Sequence, residues 1–229
     1  MKLHYILAGA AATALLASGA HATEQLVNGG FETGNFAGWT QTDQANGSGS
    51  FFVQSYGSNT PISGSATPSQ AGGGTYFAVS DQGGPGSHTI SQTFNAIVGG
   101  AFTLSFNGYG NDQSGAGPVG AGTDFNGNPN QHFEVNFNGN QVYYGILTPE
   151  WLNYTFNVGS FIVNGANTVS FTEVDNQLFF NVGLDNISVD STTGSVPEPS
   201  TWAMMLLGFG AIGVSMRRRR RTHSLLQAA

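Results

Sequence analysis

With 229 residues, no cysteine, 34 glycines and only 8% charged residues, the chain can build one ordinary core but neither a disulfide framework nor a thiolate metal cluster. Its six basic residues are Lys2, Arg217, Arg218, Arg219, Arg220 and Arg221, whereas 12 of its 13 carboxylates fall between Thr23 and Val196. A segment with acids and no bases lacks the cations that release counterions from a phosphate backbone, which argues against nucleic acid as a partner and favours divalent cations.

The first element is a signal. Lys2 precedes an apolar run from Tyr5 to Ala17, and Ala20 and Ala22 supply the small residues of an A-x-A-like cleavage site. This predicts a Sec-type signal peptide over residues 1–22, cut after Ala22, and hence the Sec translocon as a partner.

From Thr23 to Asp190 apolar residues recur at period two. Phe133, Val135 and Phe137 alternate with His132, Glu134 and Asn136, the pattern of a half-buried strand. Similar runs occur at Phe51 to Tyr56, Thr75 to Val79, Thr89 to Phe94, Phe102 to Phe106, Gln141 to Tyr144, Tyr154 to Val158, Thr168 to Glu173 and Leu184 to Val189. Asn-Gly pairs at 46–47, 107–108, 126–127, 138–139 and 164–165 read as turns, and Gly57 to Gly74 and Gly108 to Asn130 read as loops. Many short strands between such turns predict an all-β domain over 23–190, a sandwich or barrel.

The stretch Leu26-Val27-Asn28-Gly29-Gly30-Phe31-Glu32, with Gly38-Trp39, Ile90 to Phe94, Thr103 to Phe106 and Leu184 to Val189, resembles jelly-roll β-sandwiches of the galactose-binding-like and carbohydrate-binding-module type. The resemblance implies an antiparallel jelly roll whose first and last strands pair. It also implies a structural Ca²⁺ held by Glu32 and Asp185, with no other cofactor required. Oxygen ligands suit Ca²⁺, although two solvated carboxylates at strand ends would give the same sequence.

Chemistry is sparse in this stretch. His88 and His132 are its only histidines, no Gly-x-Ser-x-Gly occurs, and phosphoryl transfer lacks its Lys or Arg. Solvated side chains are the default reading for both histidines. Glu134, Glu150, Glu173 and Asp175 could pair as in glycosidases, but among so many acids a pairing is uninformative. Trp39, Tyr109, Tyr143, Tyr144 and Trp151 could stack on a sugar, with Tyr109, at the head of a long loop, and Trp39 taken as ligand-binding candidates. No catalytic residue is assigned.

After a linker at 191–196 comes Pro197-Glu198-Pro199, then Trp202 to Met216 without charge, the five arginines Arg217, Arg218, Arg219, Arg220 and Arg221, and a tail at 222–229. Fifteen helical residues span about 22 Å, short of a ~30 Å hydrocarbon core unless Trp202 anchors one interface and the arginines snorkel at the other. The arginine block belongs on the cytoplasmic side, which puts the acidic domain outside the inner membrane. Residues 197–221 are similar to the PEP-CTERM sorting signal in its Trp-Ala-Met-Met variant. That resemblance implies cleavage near Pro197 to Pro199 by an exosortase, with the chain as substrate. Gly208, Gly210 and Gly213 thin one face of the helix for a neighbouring membrane helix, or are merely tolerated in lipid.

Together these readings predict an exported cell-surface or matrix protein that is not an enzyme and that associates with exopolysaccharide or another glycan. It would pass through an inner-membrane intermediate with its domain in the periplasm before reaching the surface or the medium. The alternatives are an exported carbohydrate-active hydrolase using a carboxylate pair and a purely structural coat protein.

Overall fold

A computed structural model describes residues 22–69, 74–112, 131–175, 180–193 and 204–214, with Arg217. The chain divides into two units: 21–193, which holds the strands, and a second made of 1–20 with 194–229.

The strands are β1 (Ala22–Glu24), β2 (Thr40–Asp43), β3 (Ser50–Ser55), β4 (Tyr76–Asp81), β5 (Gly86–Ala96), β6 (Gly100–Asp112), β7 (Gln131–Phe137), β8 (Asn140–Gly145), β9 (Leu152–Asn157), β10 (Gly165–Asp175) and β11 (Phe180–Thr193). They form two antiparallel sheets, one ordered β3-β4-β11-β6-β9 with β1 also on β11, the other β2-β5-β10-β7-β8. The expected jelly-roll-like sandwich is thus present, and its first strand pairs with its last, Thr23 opposite Ser191.

Alternation is what builds the two faces. Along β7 and the latter part of β10 every second residue is buried, so Phe133, Val135, Phe137, Val169 and Phe171 point inward while His132, Glu134, Asn136, Ser170 and Thr172 point out. Phe106, from the facing sheet, meets Phe133 edge-on at 6.1 Å and Phe171 at 5.3 Å between centroids, tying the sheets through one aromatic core.

Several expectations shift. Asn138-Gly139 makes the β7–β8 hairpin with both residues at positive φ, as that turn requires. Asn107-Gly108 makes no turn, because β6 runs on through it to Asp112. A side chain at Gly108 would press on Leu147 and Phe106, so the glycine serves close packing instead. β1 and β2 were not legible as strands: all their residues are exposed, leaving no alternation to read. Asn126-Gly127 lies outside the described residues.

Candidate functional site

Glu32 and Asp185 arrive at one place from opposite ends of the domain. The segment after β1 is tied to β11 by Gln25 N to Val189 O and by Ile187 N to Gly29 O, each 2.9 Å. A bulge between Asp185 and Ser188 interrupts the β11–β6 ladder at this point. Around Gly30, the position a Cβ would take lies 3.6 Å from Asp185 Oδ1, 3.6 Å from Asn186 Oδ1 and 3.8 Å from Glu32 Cγ. The Asp185 and Asn186 oxygens and the Glu32 methylene therefore line one glycine, while the Glu32 carboxylate reaches on toward Gly74 and the Thr75 amide.

Both carboxylates are held. Glu32 accepts from Thr75 N at 2.9 and 3.0 Å and from Tyr76 N at 3.1 Å. Asp185 accepts from Tyr56 Oη at 2.6 Å, Asn186 N at 2.7 Å and Asn186 Nδ2 at 3.2 Å. Burial is the chief reason that the Asp185 carboxyl is pushed up to about 6; the Tyr56 and Asn186 hydrogen bonds pull it back and the charge of Glu32 adds to the rise. The Tyr56 hydroxyl is raised in turn by its own burial and by Asp185.

The backbone here is unusual. Asn28, Phe31 and Asn186 all have positive φ, at 52°, 54° and 49°, and for Phe31 that conformation is costly. The donor set consists of oxygens from two mutually repelling carboxylates and an amide, with no Lys or Arg in the domain to neutralise them, which fits Ca²⁺. Among the described residues no three His, Cys, Asp or Glu side chains converge as ligands, so amide or main-chain oxygens would complete the shell.

The two aromatic candidates are turned inward. Trp39 is 8% exposed, packs on Phe31 and Phe171 and donates Nε1 to Asn28 O at 3.1 Å. Tyr109, expected to head a loop, stands inside β6 at 1% exposure against Trp151 and Phe77. Strand extension past Gly108 is the physical reason, and neither ring offers a face to a sugar. Tyr143 is likewise committed inward, donating Oη to Ile146 O at 3.0 Å.

Tyr144 is the ring that remains outside. It is 48% exposed and lies 4.8 Å from the His132 ring on the outer face of the second sheet. Cross-strand register continues that face through Glu134, Thr172, Thr89 and Thr42, with Thr89 and Thr172 hydroxyls 2.9 Å apart. Burial lowers the His132 imidazole below its ordinary value, against the opposing pull of Glu134. Period-two alternation in the sequence places His132 and Glu134 on this same face.

His88 departs from its expected solvated state. It is fully buried, its Nδ1 lies 2.9 Å from Asp43 Oδ1, and its Nε2 has no partner. Elsewhere, an open groove of about 480 Å³ is lined by Asn35, Phe36, Gln41 and Ser50 to Val53, among others.

In the second unit, residues 204–214 are helical and exposed, including Leu206, Leu207, Phe209 and Ile212. A Cβ at Gly208, Gly210 or Gly213 would meet nothing within 4 Å. Among the described residues no helix is long and apolar enough to cross a membrane. Arg217 is helical and exposed. Ala22 opens β1, while Ala20, Pro197, Glu198, Pro199 and Trp202 lie outside the described residues. So do Arg218, Arg219, Arg220 and Arg221, which leaves Arg217 as the described member of the expected arginine cluster.

Residues 195–221, with all five arginines from Arg217 through Arg219 and Arg220 to Arg221, match the PEP-CTERM protein-sorting motif. The chain thus carries a sorting signal of exported proteins that an exosortase processes. A comparison with curated proteins finds none that matches. Similar solved structures include TmCBM61 in complex with β-1,4-galactotriose, 18% identical over 73% of this chain and 97% of that one, at a TM-score of 0.49. A cleaved adhesin domain of Lys-gingipain from Porphyromonas gingivalis is 16% identical over 76% and 100%, also at 0.49. The enzymatically active domain of a bacteriophage CBA120 tailspike protein is 14% identical over 73% of this chain but 21% of its own, at 0.45.

Proposed function

We propose that this protein is a non-enzymatic surface or matrix protein, exported through the Sec translocon, held in the inner membrane by its tag with the sandwich in the periplasm, and released or transferred outward by exosortase cleavage near Pro197 to Pro199. The observation that carries the reading is the sorting motif at 195–221, joined to a passenger with no lysine or arginine. A passenger of that charge is not held back by anionic head groups, and the arginine cluster is its only cationic stop. Replacing Arg217, Arg218, Arg219, Arg220 and Arg221 together by alanine tests the role of the tag: the altered chain should lose its inner-membrane stage and its arrival outside, and unchanged delivery would refute the assignment.

The sandwich's task in this reading is to hold a neutral or hydroxyl-rich glycan on the outer face of the second sheet. Tyr144 offers a ring to stack on a sugar, Glu134 and His132 accept or donate hydrogen bonds, and Thr89 and Thr172 extend a hydroxyl strip. Affinity electrophoresis of the full chain in gels containing the producing cell's exopolysaccharide should show retardation that Tyr144→Ala weakens about tenfold, roughly 1.4 kcal/mol. Equal retardation of both would remove this face from the account.

Ca²⁺ belongs to the proposal as a structural ion. Glu32 and Asp185 would hold it, with Asn186 Oδ1 near them, and it would supply the positive charge that the domain's side chains lack. Adding Ca²⁺ in excess of its dissociation constant should raise Tm, and the rise should shrink in Asp185→Asn.

A further inference from the structure

At the end of the sandwich where β4, β7, β10 and β11 have their tips, polar side chains are buried, with no lysine or arginine among the described residues there. Asp81, Gln82, Glu173, Asp175 and Asn181 are each 0% exposed. Gln82 lies at the centre of the group formed with β10. Its Nε2 is 2.9 Å from Glu173 Oε1, 3.0 Å from Asp175 Oδ2 and 2.5 Å from Phe180 O. Gln131 Nε2, 3.2 Å from Asp175 Oδ1, braces the second acid from β7.

Two features of this arrangement are unsatisfied. An amide NH₂ has two hydrogens, yet three oxygens crowd this one nitrogen. Meanwhile the amide's own oxygen, Gln82 Oε1, has no partner, and neither does Glu173 Oε2, although both are buried. Leaving such acceptors orphaned costs about 1–3 kcal/mol each, and more for a charged one. Burial and the adjacent Asp175 also push the Glu173 carboxyl well above the usual carboxylate range.

Turning the Gln82 amide end over end would ease the crowding only if something positive stood among the oxygens. Oε1 would then join Glu173 Oε1, Asp175 Oδ2 and Phe180 O, giving four oxygen donors around one point. Four such oxygens repel one another in the absence of a cation and form much of the six-to-eight-oxygen shell of Ca²⁺ when one is present. No lysine or arginine occurs anywhere from residue 3 to residue 216, so neither can stand in. His88, opposite Glu173 in the β5–β10 ladder, holds Nδ1 beside Asp43 and makes no hydrogen bond through Nε2, and His132, opposite Val174 in the β10–β7 ladder, lies on the outer face against Tyr144.

We propose that Glu173, Asp175, the Gln82 side-chain oxygen and the Phe180 carbonyl form a second, buried Ca²⁺ site, independent of Glu32 and Asp185. The ion cross-links the end of β10 to the start of β11 and to the residue that follows β4, so it joins the two sheets at their rim. It carries the charge compensation that a core without lysine or arginine otherwise lacks.

Native mass spectrometry of the full chain, released from detergent micelles and titrated with Ca²⁺, counts the ions. Wild type should hold two per chain, and Glu32→Gln combined with Asp185→Asn should still hold one. Glu173→Gln should lose one and, in EDTA, should melt no lower than wild type, because it removes a buried carboxyl whose Oε2 has no partner. If Glu173→Gln does not fold, Gln82→Met removes a neutral oxygen ligand and should weaken one of the two ions tenfold or more. No ion in the Glu32/Asp185 double variant, or as many ions in Glu173→Gln and Gln82→Met as in wild type, would overturn the proposal; a single wild-type ion that the double variant keeps and Glu173→Gln loses would support this site and remove the Glu32 and Asp185 one.

Discussion

A carboxyl that is kept partly protonated near neutral pH leaves a signature in stability. Asp185 holds its proton up to about 6 in the folded chain, against about 4 when unfolded. The folded state thus binds more protons than the unfolded one between those values, and stability falls as pH rises through that window, levelling above it. Glu173, its carboxyl raised by burial and by Asp175, acts in the same direction. His132, with its imidazole lowered, works oppositely, costing stability as pH falls below its ordinary value of about 6.5. Urea unfolding in EDTA at pH 4, 5, 6 and 7 should therefore show a decline between 4 and 6 that Asp185→Asn flattens. An identical slope in the variant would mean that Asp185 is not buried as described.

At the scale of elements, the two ends of the domain are locked by backbone approach. A Cβ on Gly29 would overlap Ile187 O, which is main chain and cannot swing aside as a side chain would. Gly29→Ala should therefore cost about 1–3 kcal/mol in urea unfolding, with a wild-type m-value, and a neutral result would place the Ile187 strand elsewhere. Truncating Phe106, which joins Phe133 and Phe171 across the sheets, should cost about 3–5 kcal/mol.

Legibility follows the same elements. β7 and β10 announced themselves, because Phe133, Val135 and Phe137, or Val169 and Phe171, sit on one phase of a period-two pattern. Glu173 and Asp175 continue that inward phase, so their burial was readable in principle, yet carboxylates are read as solvated by default. β2 hid because Thr-Gln-Thr-Asp is polar on both faces, and Tyr109 misled because glycines around it look like a loop when they serve close packing under Leu147. The candidate metal pair was reachable only through resemblance. The bulge at Asp185 and the positive φ of Asn186, beside which Asp185 Oδ1 comes close to Gly30, depend on tertiary pairing that a linear pattern does not carry.

For the whole molecule, charge and hydropathy divide the chain more sharply than any contact does. An acidic, base-free sandwich precedes a helix whose described residues are apolar and exposed, and Arg217 follows it. In the proposed function, export and sorting depend on that order. Mass spectrometry of the protein's termini in inner-membrane, envelope and medium fractions tests this most directly. The account predicts chains beginning at Thr23 and ending near Pro197 to Pro199 in the outer fractions, with the longer form confined to the inner membrane. A chain that reaches the surface or the medium with Arg217 to Arg221 still attached would contradict it.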